Sequence, residues 1–141
     1  MDRKYGWRPD KPSIHDHILN FGAMGTAIAD TVDLRETGHL PPVYDQGQLG
    51  SCTGNGTAAA VEYGLKAQSK HDFTPSRLFI YYNERVIEGT VGTDAGAEIR
   101  DGIKVVATQG VCDEALWPYD ISKFTDKPSD DAYNEIGRAH V

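Results

Sequence analysis

The sequence is poor in cysteine, in basic charge and in long apolar runs. It contains two cysteines, Cys52 and Cys112, in 141 residues, and two cysteines cannot form a disulfide framework. A single Cys52–Cys112 bridge is conceivable, and otherwise Cys112 is predicted to be a free, partly buried thiol. The formal net charge is −7, which disfavours nucleic acid as a partner because phosphate binding needs a basic face.

No apolar run approaches the roughly 20 residues that a membrane-spanning helix needs, so we expect no membrane partner. The segment from Met1 to Pro12 is charged and is followed by no apolar stretch, which predicts no secretory signal and a cytoplasmic location by default. With 39% hydrophobic and 25% charged residues, the chain is predicted to be a soluble domain with a modest core. The glycine-rich loop from Glu88 to Ala97 lacks the G-K-[ST] of a phosphate-binding loop, and we predict no cofactor and no metal.

The stretch from Asp45 to Glu62, DQGQLGSCTGNGTAAAVE, is where chemistry is predicted. Gly47 and Gly50 lead into Cys52, and apolar residues then recur at the spacing of one helical face. A thiol at the start of a helix lies beside unpaired N–H groups and the positive end of the helix dipole, which favour the nucleophilic thiolate. Gln46 lies six residues upstream, and the glycines between them let its amide donate to an oxyanion near the sulfur.

This segment resembles the nucleophile segment of the papain-like cysteine peptidases, Q-G-x-C-G-S-C-W. The residues that match it in type and spacing are Gln46, Gly47, Gly50, Ser51 and Cys52. Leu49 stands where many members carry a disulfide-bonded cysteine, and Thr53 stands where they carry an aromatic residue. Neither change removes a group that the chemistry needs. The resemblance implies that Cys52 is the nucleophile and that Gln46 is an oxyanion-hole donor.

The resemblance extends from about residue 30 to about residue 120. Val32-Asp33-Leu34-Arg35 is similar to the start of the family's mature domain, and the run from Gly110 to Tyr119 is similar to a structural glycine-then-E-x-x-Y-P-Y segment. The family's glycine-rich loop lays its backbone along the substrate, which makes Gly96 and Ala97 candidate substrate-binding residues. The implied fold is the α+β papain-like cysteine proteinase fold, of which this chain forms mainly the α-helical left half while the β-barrel half is missing.

Three helices are predicted in this region. The first starts at Cys52 and runs to about residue 69. The second begins with a cap and a proline at Thr74-Pro75-Ser76 and continues to Gly89. The third starts near residue 99 and stops at Gly110.

In the resembled family a histidine exchanges protons with the cysteine and an asparagine orients that histidine. These partners lie about 130–150 residues after the cysteine, whereas 89 residues (141 minus 52) follow Cys52 here. Of the five histidines, His140 is the least unsuitable candidate for this base, and we interpret its place near the C-terminus as a coincidence. The other histidines are His15, His17, His39 and His71. We therefore expect a nucleophile without its base, in an N-terminal portion of a larger cysteine peptidase.

The chain is predicted to have three segments. Residues 1–27 form a short propeptide-like N-terminal arm, residues 28–120 form the helical left subdomain, and residues 121–141 form a polar tail, or the start of the missing half, without a clear element. One hypothesis is that aromatic residues of the arm lie against the active-site cleft and shield the thiol, as in a zymogen. The alternative is a disordered or surface-packed leader.

The function predicted from these features is a cysteine-type peptidase that cleaves peptide or protein substrates through a Cys52 thioester, with this chain inactive alone. The alternative is a catalytically inactive, peptidase-like binding or inhibitory module. An unrelated Cys-His-Asp acyl transferase is disfavoured because Gln46 has no role there. A half-domain exposes helix faces that normally pack on the barrel, so we expect a second chain or self-association that completes the fold.

Overall fold

The computed structural model describes residues 5–18, 29–70 and 73–138. Three helices carry the fold: α1 (Cys52–Ala67), α2 (Arg77–Glu88) and α3 (Ile99–Thr108). A short helix, α4 (Asp130–Asn134), follows, and single 3-10 turns cover Leu34–Thr37, Ile121–Lys123 and Glu135–Arg138. Two-residue strands, β1 (Trp7–Arg8) and β2 (Ala97–Glu98), pair in parallel with Trp7 opposite Ala97.

The three main helices are those that the sequence predicts, with one correction at the start of α2. The cap of α2 is Ser76, whose hydroxyl accepts a hydrogen bond from the Phe79 backbone N–H at 3.2 Å. Pro75 lies outside the helix, in an isolated bridge with Asp113. The helix ends at Gly89, where a φ of 70° requires a residue that tolerates the left-handed region.

The core lies where α1, α2 and α3 meet. Its fully buried members include Ala58 of α1, Phe79 and Ile80 of α2, and Val105 of α3. Gly54 allows α1 to approach α2 closely, because a Cβ at this position would lie 2.8 Å from the Arg77 carbonyl oxygen. The close packing of α1 on α2 therefore explains why this helix contains a glycine that is unfavourable for helix formation.

The segment after Ile121 corrects the prediction that it contains no clear element. α4 begins at Ser129, whose hydroxyl accepts from the Ala132 N–H at 3.2 Å. Ala132 and Ile136 are buried in the same core as α2. Sequence periodicity did not indicate this helix because it is only one turn long and most of its residues are polar.

Arg85 fixes the loop that joins α2 to β2. Its side chain is fully buried and donates to the backbone carbonyls of Val91 at 2.9 Å and Thr93 at 3.2 Å. A third bond goes to the carbonyl of Phe124. The guanidinium thus satisfies loop carbonyls that have no strand partner, and it holds the glycine-rich loop against the helices. Within the described residues, no helix is long and apolar enough to cross a membrane.

Candidate active site

Cys52 is the first residue of α1, and its side chain is half-buried with a free thiol. The preceding residue, Ser51, occupies the cap position but makes no side-chain cap bond. Its hydroxyl instead bonds with the Tyr119 hydroxyl and accepts from the Asn55 amide at 3.0 Å. The first turn of α1 therefore keeps N–H groups that the Ser51 side chain does not cover, beside the Cys52 sulfur.

The thiol opens into a cavity of about 730 Å³ between α1 and α3. Its wall is almost wholly apolar, with Val61 on α1, Ile103 on α3 and Trp7 from the N-terminal arm among the lining residues. The cavity extends along α1 from Cys52 to Val61, a length of about 13 Å at the rise of a helix. The cavity is therefore a long apolar groove with the Cys52 side chain at one end.

Gln46 lies in the same segment as the thiol and is half-buried. Its side-chain Nε2 donates to the Leu49 backbone carbonyl oxygen at 2.9 Å. Its backbone carbonyl oxygen accepts from the Tyr119 hydroxyl at 3.0 Å. Gly47 follows with a φ of 60°, which turns the chain back toward the helix. The predicted reversal between Gln46 and Cys52 is thus built from this left-handed glycine and from two hydrogen bonds.

The sequence does not reveal the role of Tyr119, because the run from Gly110 to Tyr119 resembles a segment that is structural in the family. Its hydroxyl joins the carbonyl of Gln46 to the side chain of Ser51. The Arg77 guanidinium stacks on the Tyr119 ring at 4.1 Å and forms an ion pair with Glu114 at 2.5 Å. Tyr119 therefore fixes the loop on both sides of the glycine turn. The Trp117-Pro118-Tyr119 motif is the sequence feature that could have indicated this role of Tyr119.

The predicted substrate-binding residues, Gly96 and Ala97, lie at the start of β2. The Ala97 N–H donates to the carbonyl oxygen of Gly6 at 2.9 Å, so the N-terminal arm pairs with this strand. Gly96 has a φ of 72° and contacts Gly6 closely, since a Cβ at Gly96 would lie 1.8 Å from the Gly6 carbonyl oxygen. These residues therefore form the backbone edge on which the extended N-terminal arm lies.

The arm is anchored at several points along α3 and α2. Arg8 forms an ion pair with Glu88, whose other carboxylate oxygen accepts from the Glu98 N–H at 2.8 Å. Arg100 pairs with Asp16 at 2.7 Å. Trp7 lines the cavity that Cys52 also lines but remains 54% exposed, and Tyr5 is 71% exposed. Of the aromatic residues of the arm, Phe21 lies outside the described residues.

Cys112 provides a contrasting environment for the same side chain. It is 1% exposed, and burial raises the pKa of its thiol to about 12. Both cysteines are free, so the conceivable Cys52–Cys112 bridge is absent. A thiol of this kind stays protonated and behaves as a small apolar side chain of the core.

Glu84 is buried directly behind the first turn of α1. Its Oε2 accepts from the Thr53 hydroxyl at 2.7 Å, while Oε1 has no hydrogen-bond partner. Burial raises the pKa of this carboxyl to about 8. No sequence pattern indicated it, because a glutamate at this point of α2 is indistinguishable from a solvated one.

The described histidines do not supply a base for Cys52. His39 packs edge-on against Tyr63, at 6.1 Å between ring centroids, and Tyr63 lies about three turns along α1 from the thiol. His15 and His17 are exposed in the arm. His71 and His140 lie outside the described residues. Within the described part of the chain, no cluster of His, Cys, Asp or Glu has the arrangement of a metal site.

No protein-family model matches the sequence. An uncharacterised peptidase C1-like protein of Acanthamoeba polyphaga mimivirus is 40% identical over 151 aligned positions, which cover 96% of this chain and 49% of that protein. A cathepsin L-like proteinase of Phaedon cochleariae is 30% identical over 79% of this chain and 33% of its own length. The chain thus spans about half the length, or less, of the curated relatives that it matches.

The crystal structure of xylellain, a cysteine protease from Xylella fastidiosa, superimposes on the whole chain with a TM-score of 0.74 and 38% identity, and the match covers 58% of that protein. The chain belongs to the papain-like cysteine peptidases. This papain-like chain is rich in helix and has one two-stranded sheet among the described residues. The predicted fold class, the helical half of a papain-like fold, is confirmed.

Proposed function

We propose that this chain is the nucleophile-bearing half of a cysteine peptidase that cleaves peptide bonds. The observation that carries the proposal is the setting of Cys52, a half-buried thiol at the start of α1 that opens into an apolar groove. In the reaction, the sulfur attacks the carbonyl carbon of the peptide bond and forms a thioester as the amine leaves. Water then hydrolyses the thioester and returns the thiol.

Two donors stabilise the oxyanion in this proposal. One is the backbone N–H of Cys52, at the positive end of the helix dipole. The other is the Gln46 side-chain amide, which has two N–H donors. In this structure Nε2 donates to the Leu49 carbonyl oxygen at 2.9 Å, and we propose that it donates to the oxyanion when substrate is bound.

The proton of the Cys52 thiol needs an acceptor, and the leaving amine needs a donor. We propose that a histidine and an asparagine from a second half of the fold supply both, since none of the described histidines of this chain is placed at the thiol. The groove between α1 and α3 supports such a partner. Ile99 is 44% exposed and Ile103 is 59% exposed, and exposed apolar surface of this kind marks an interface.

The same exposed apolar face, which includes Ile99 and Ile103, also predicts that the isolated chain associates with itself. Size-exclusion chromatography with light scattering is expected to show association of the isolated chain, and Ile103→Lys is expected to reduce it because the charge opposes burial of this face. Lys104→Glu is the control, because Lys104 is an exposed neighbour that does not line the groove. A monomer that is unaffected by Ile103→Lys would contradict the assignment of this face.

We propose that residues 1–27 are a propeptide-like arm that covers the cleft. The arm pairs with Ala97, the residue that we assign to substrate binding, and Trp7 lines the cavity of the thiol. Deleting residues 1–27 is expected to increase the rate at which iodoacetamide alkylates Cys52. An unchanged rate would show that the arm does not shield the thiol.

A point substitution tests the same contact between the arm and the cleft without shortening the chain. Gly6→Ala adds a Cβ that would lie 1.9 Å from the Gly50 carbonyl oxygen, so the arm must shift. Gly92→Ala is the matched control, because a Cβ at Gly92 has nothing within 4 Å. We expect faster alkylation of Cys52 in the first variant and the original rate in the second.

The experiment that tests the proposed function is the intact mass of the chain after treatment with an epoxide inhibitor of papain-like peptidases. The account predicts one inhibitor per chain, bound to Cys52, and no adduct in the Cys52→Ser variant. The alternative, a binding or inhibitory module without chemistry, predicts no adduct and a Cys52 that reacts with iodoacetamide no faster than an ordinary thiol.

A further inference from the structure

Asp94 lies in the loop between α2 and β2 and is not among the residues that line the groove. Its carboxylate accepts two hydrogen bonds from the Gly50 backbone N–H, at 3.0 Å to Oδ1 and 3.1 Å to Oδ2. Gly50 is buried and stands two residues before Cys52. A bond between a carboxylate and a backbone N–H is charge-assisted and stronger than a neutral one, so Asp94 restrains the approach to the nucleophile.

Tyr81 extends these contacts to Gly96, beside β2. It is fully buried on α2, and its hydroxyl donates to Asp94 Oδ1 at 2.6 Å. The same hydroxyl accepts from the Gly96 backbone N–H at 3.1 Å. Burial, followed by the bond to Asp94, raises the pKa of Tyr81 well above its ordinary value, so the hydroxyl remains a donor. Four groups thus form one chain of hydrogen bonds, from Gly50 through Asp94 and Tyr81 to Gly96.

The packing around Gly50, Gly96 and Gly6 leaves no space for a side chain at these positions. A Cβ at Gly50 would lie 2.9 Å from Asp94 Oδ1. Between Gly50 and Gly96 runs the Gly6 backbone of the arm, where a Cβ would lie 1.9 Å from the Gly50 carbonyl oxygen and 2.7 Å from the Gly96 Cα. The separation of Gly50 and Gly96 therefore sets the space in which the Gly6 backbone lies beside β2.

We propose that Asp94 is a positioning residue. It holds Gly50 directly and Gly96 through Tyr81, and so keeps the two backbones at the separation that the cleft requires. The catalytic meaning of this assignment rests on the proposed function of Cys52. In this assignment Asp94 acts through the two backbones that it restrains, Gly50 by a direct hydrogen bond and Gly96 through the Tyr81 hydroxyl. Many papain-like peptidases have a disulfide-bonded cysteine at the position of Leu49, and here the next residue, Gly50, is tied by a carboxylate instead.

Amide hydrogen exchange reads this chain of hydrogen bonds directly. Asp94→Ala removes the acceptor of Gly50 and the partner of Tyr81, so exchange is expected to become faster at both Gly50 and Gly96. The expected increase is about 10- to 100-fold, the range given by loss of a hydrogen bond to a charged group. Tyr81→Phe leaves the bond between Gly50 and Asp94 in place, so only Gly96 is expected to exchange faster.

Two further variants separate positioning from general stability. Tyr133→Phe removes a hydroxyl bond of 3.0 Å to Asn83 in the core and is the matched control for Tyr81→Phe. It is expected to change neither Gly50 nor Gly96 exchange. Asp94→Asn keeps an acceptor oxygen and is expected to give exchange between that of the original chain and that of Asp94→Ala. If Asp94→Ala does not fold, Asp94→Asn and Tyr81→Phe still carry the test.

The rate of Cys52 alkylation by iodoacetamide then shows whether the restraint serves the thiol. Asp94→Ala is expected to slow alkylation, while Tyr133→Phe leaves the rate unchanged at matched fractions of folded protein. Faster exchange at Gly50 and Gly96 with an unchanged alkylation rate would overturn the assignment, and so would unchanged exchange at Gly96 in Asp94→Ala. If Cys52 is unreactive in the original chain, the proposed function fails, and exchange alone decides whether the restraint exists.

Discussion

Cys52 and Cys112 carry the same thiol in two different surroundings. Cys52 begins a helix, is half-buried and lines an apolar groove, whereas Cys112 follows α3, is 1% exposed and has its pKa raised to about 12 by burial. In sequence both cysteines follow a glutamine-glycine pair, but Gln46 lies six residues before Cys52 whereas Gln109 lies three residues before Cys112. The comparison shows that the backbone, and not the type of side chain, determines how exposed each sulfur is.

Exchanging each thiol for a hydroxyl is the strongest way to break the comparison. Cys52→Ser is expected to abolish labelling by an epoxide inhibitor and to change the free energy of unfolding by less than about 0.5 kcal/mol, because the residue lies at the cleft. Cys112→Ser is expected to keep the labelling and to lower the free energy of unfolding by about 1–3 kcal/mol, because it buries a hydroxyl in the core. Intact mass and urea unfolding measure the two effects. Labelling that survives Cys52→Ser would contradict the assignment of the nucleophile.

Gln46→Ala tests what distinguishes the surroundings of Cys52 from those of Cys112. In protein that contains both halves of the fold, the variant is expected to lower kcat by about 100- to 1,000-fold, the cost of removing one oxyanion-hole donor. Gln48→Ala is the control, since Gln48 is an exposed glutamine of the same loop. Hydrolysis of a fluorogenic peptide provides the measurement. Equal losses in both variants would mean that the loop, and not the Gln46 amide, is what matters.

Glu84 shows that burial acts on a carboxyl as it acts on the Cys112 thiol. Its pKa is about 8 in the folded chain against 4.5 for an ordinary glutamate, so the folded state binds more protons between these values. The free energy of unfolding is therefore expected to fall as the pH rises from about 4.5 to about 8, by at most about 1.4 kcal/mol per pH unit, and to level off above that range.

The Glu84→Gln variant is expected to lose this dependence and to be more stable than the original chain at pH 8 and above. Urea unfolding at several pH values measures it. Glu36→Gln is the control, because Glu36 is exposed, and it should leave the slope in place. A slope that persists in Glu84→Gln would show that another group titrates.

Tyr119→Phe is expected to have the smallest effect. The variant removes the hydroxyl that joins the Gln46 carbonyl to Ser51 but keeps the ring under Arg77. A loss of about 1 kcal/mol in the free energy of unfolding is expected, as for a neutral hydrogen bond. Cys52 alkylation should slow only slightly. Tyr5→Phe, at a tyrosine that is 71% exposed, should change neither quantity.

The helices and the nucleophile segment were predictable because they depend on local sequence. Apolar spacing and end signals predict α1, α2 and α3, and the Gln46 to Cys52 segment carries a recognisable pattern of residues. The prediction placed Pro75 at the first position of α2, whereas the cap of this helix is Ser76. All three residues of Thr74-Pro75-Ser76 are plausible at a helix start, and only tertiary packing selects Ser76.

The rest of the site depends on contacts between distant segments. The pairing of Trp7 with Ala97 joins two-residue strands that are 90 positions apart, and so short a strand has no periodicity to detect. Asp94 reaches Gly50 across 44 positions, and an aspartate in a glycine-rich loop looks like an ordinary loop residue. The sequence therefore predicts a nucleophile at Cys52, and only the fold identifies the groups that hold its surroundings in place.

The most direct test of the central claim is the rate at which iodoacetamide modifies Cys52 and Cys112 in the same folded molecule, mapped by mass spectrometry with and without residues 1–27. The account predicts that Cys52 is modified more than about 100-fold faster than Cys112, whose high pKa leaves little thiolate. It also predicts that Cys52 in the folded chain without the arm reacts faster than Cys52 in the urea-unfolded chain. Equal rates for the two cysteines, or a Cys52 that gains nothing from folding, would contradict it.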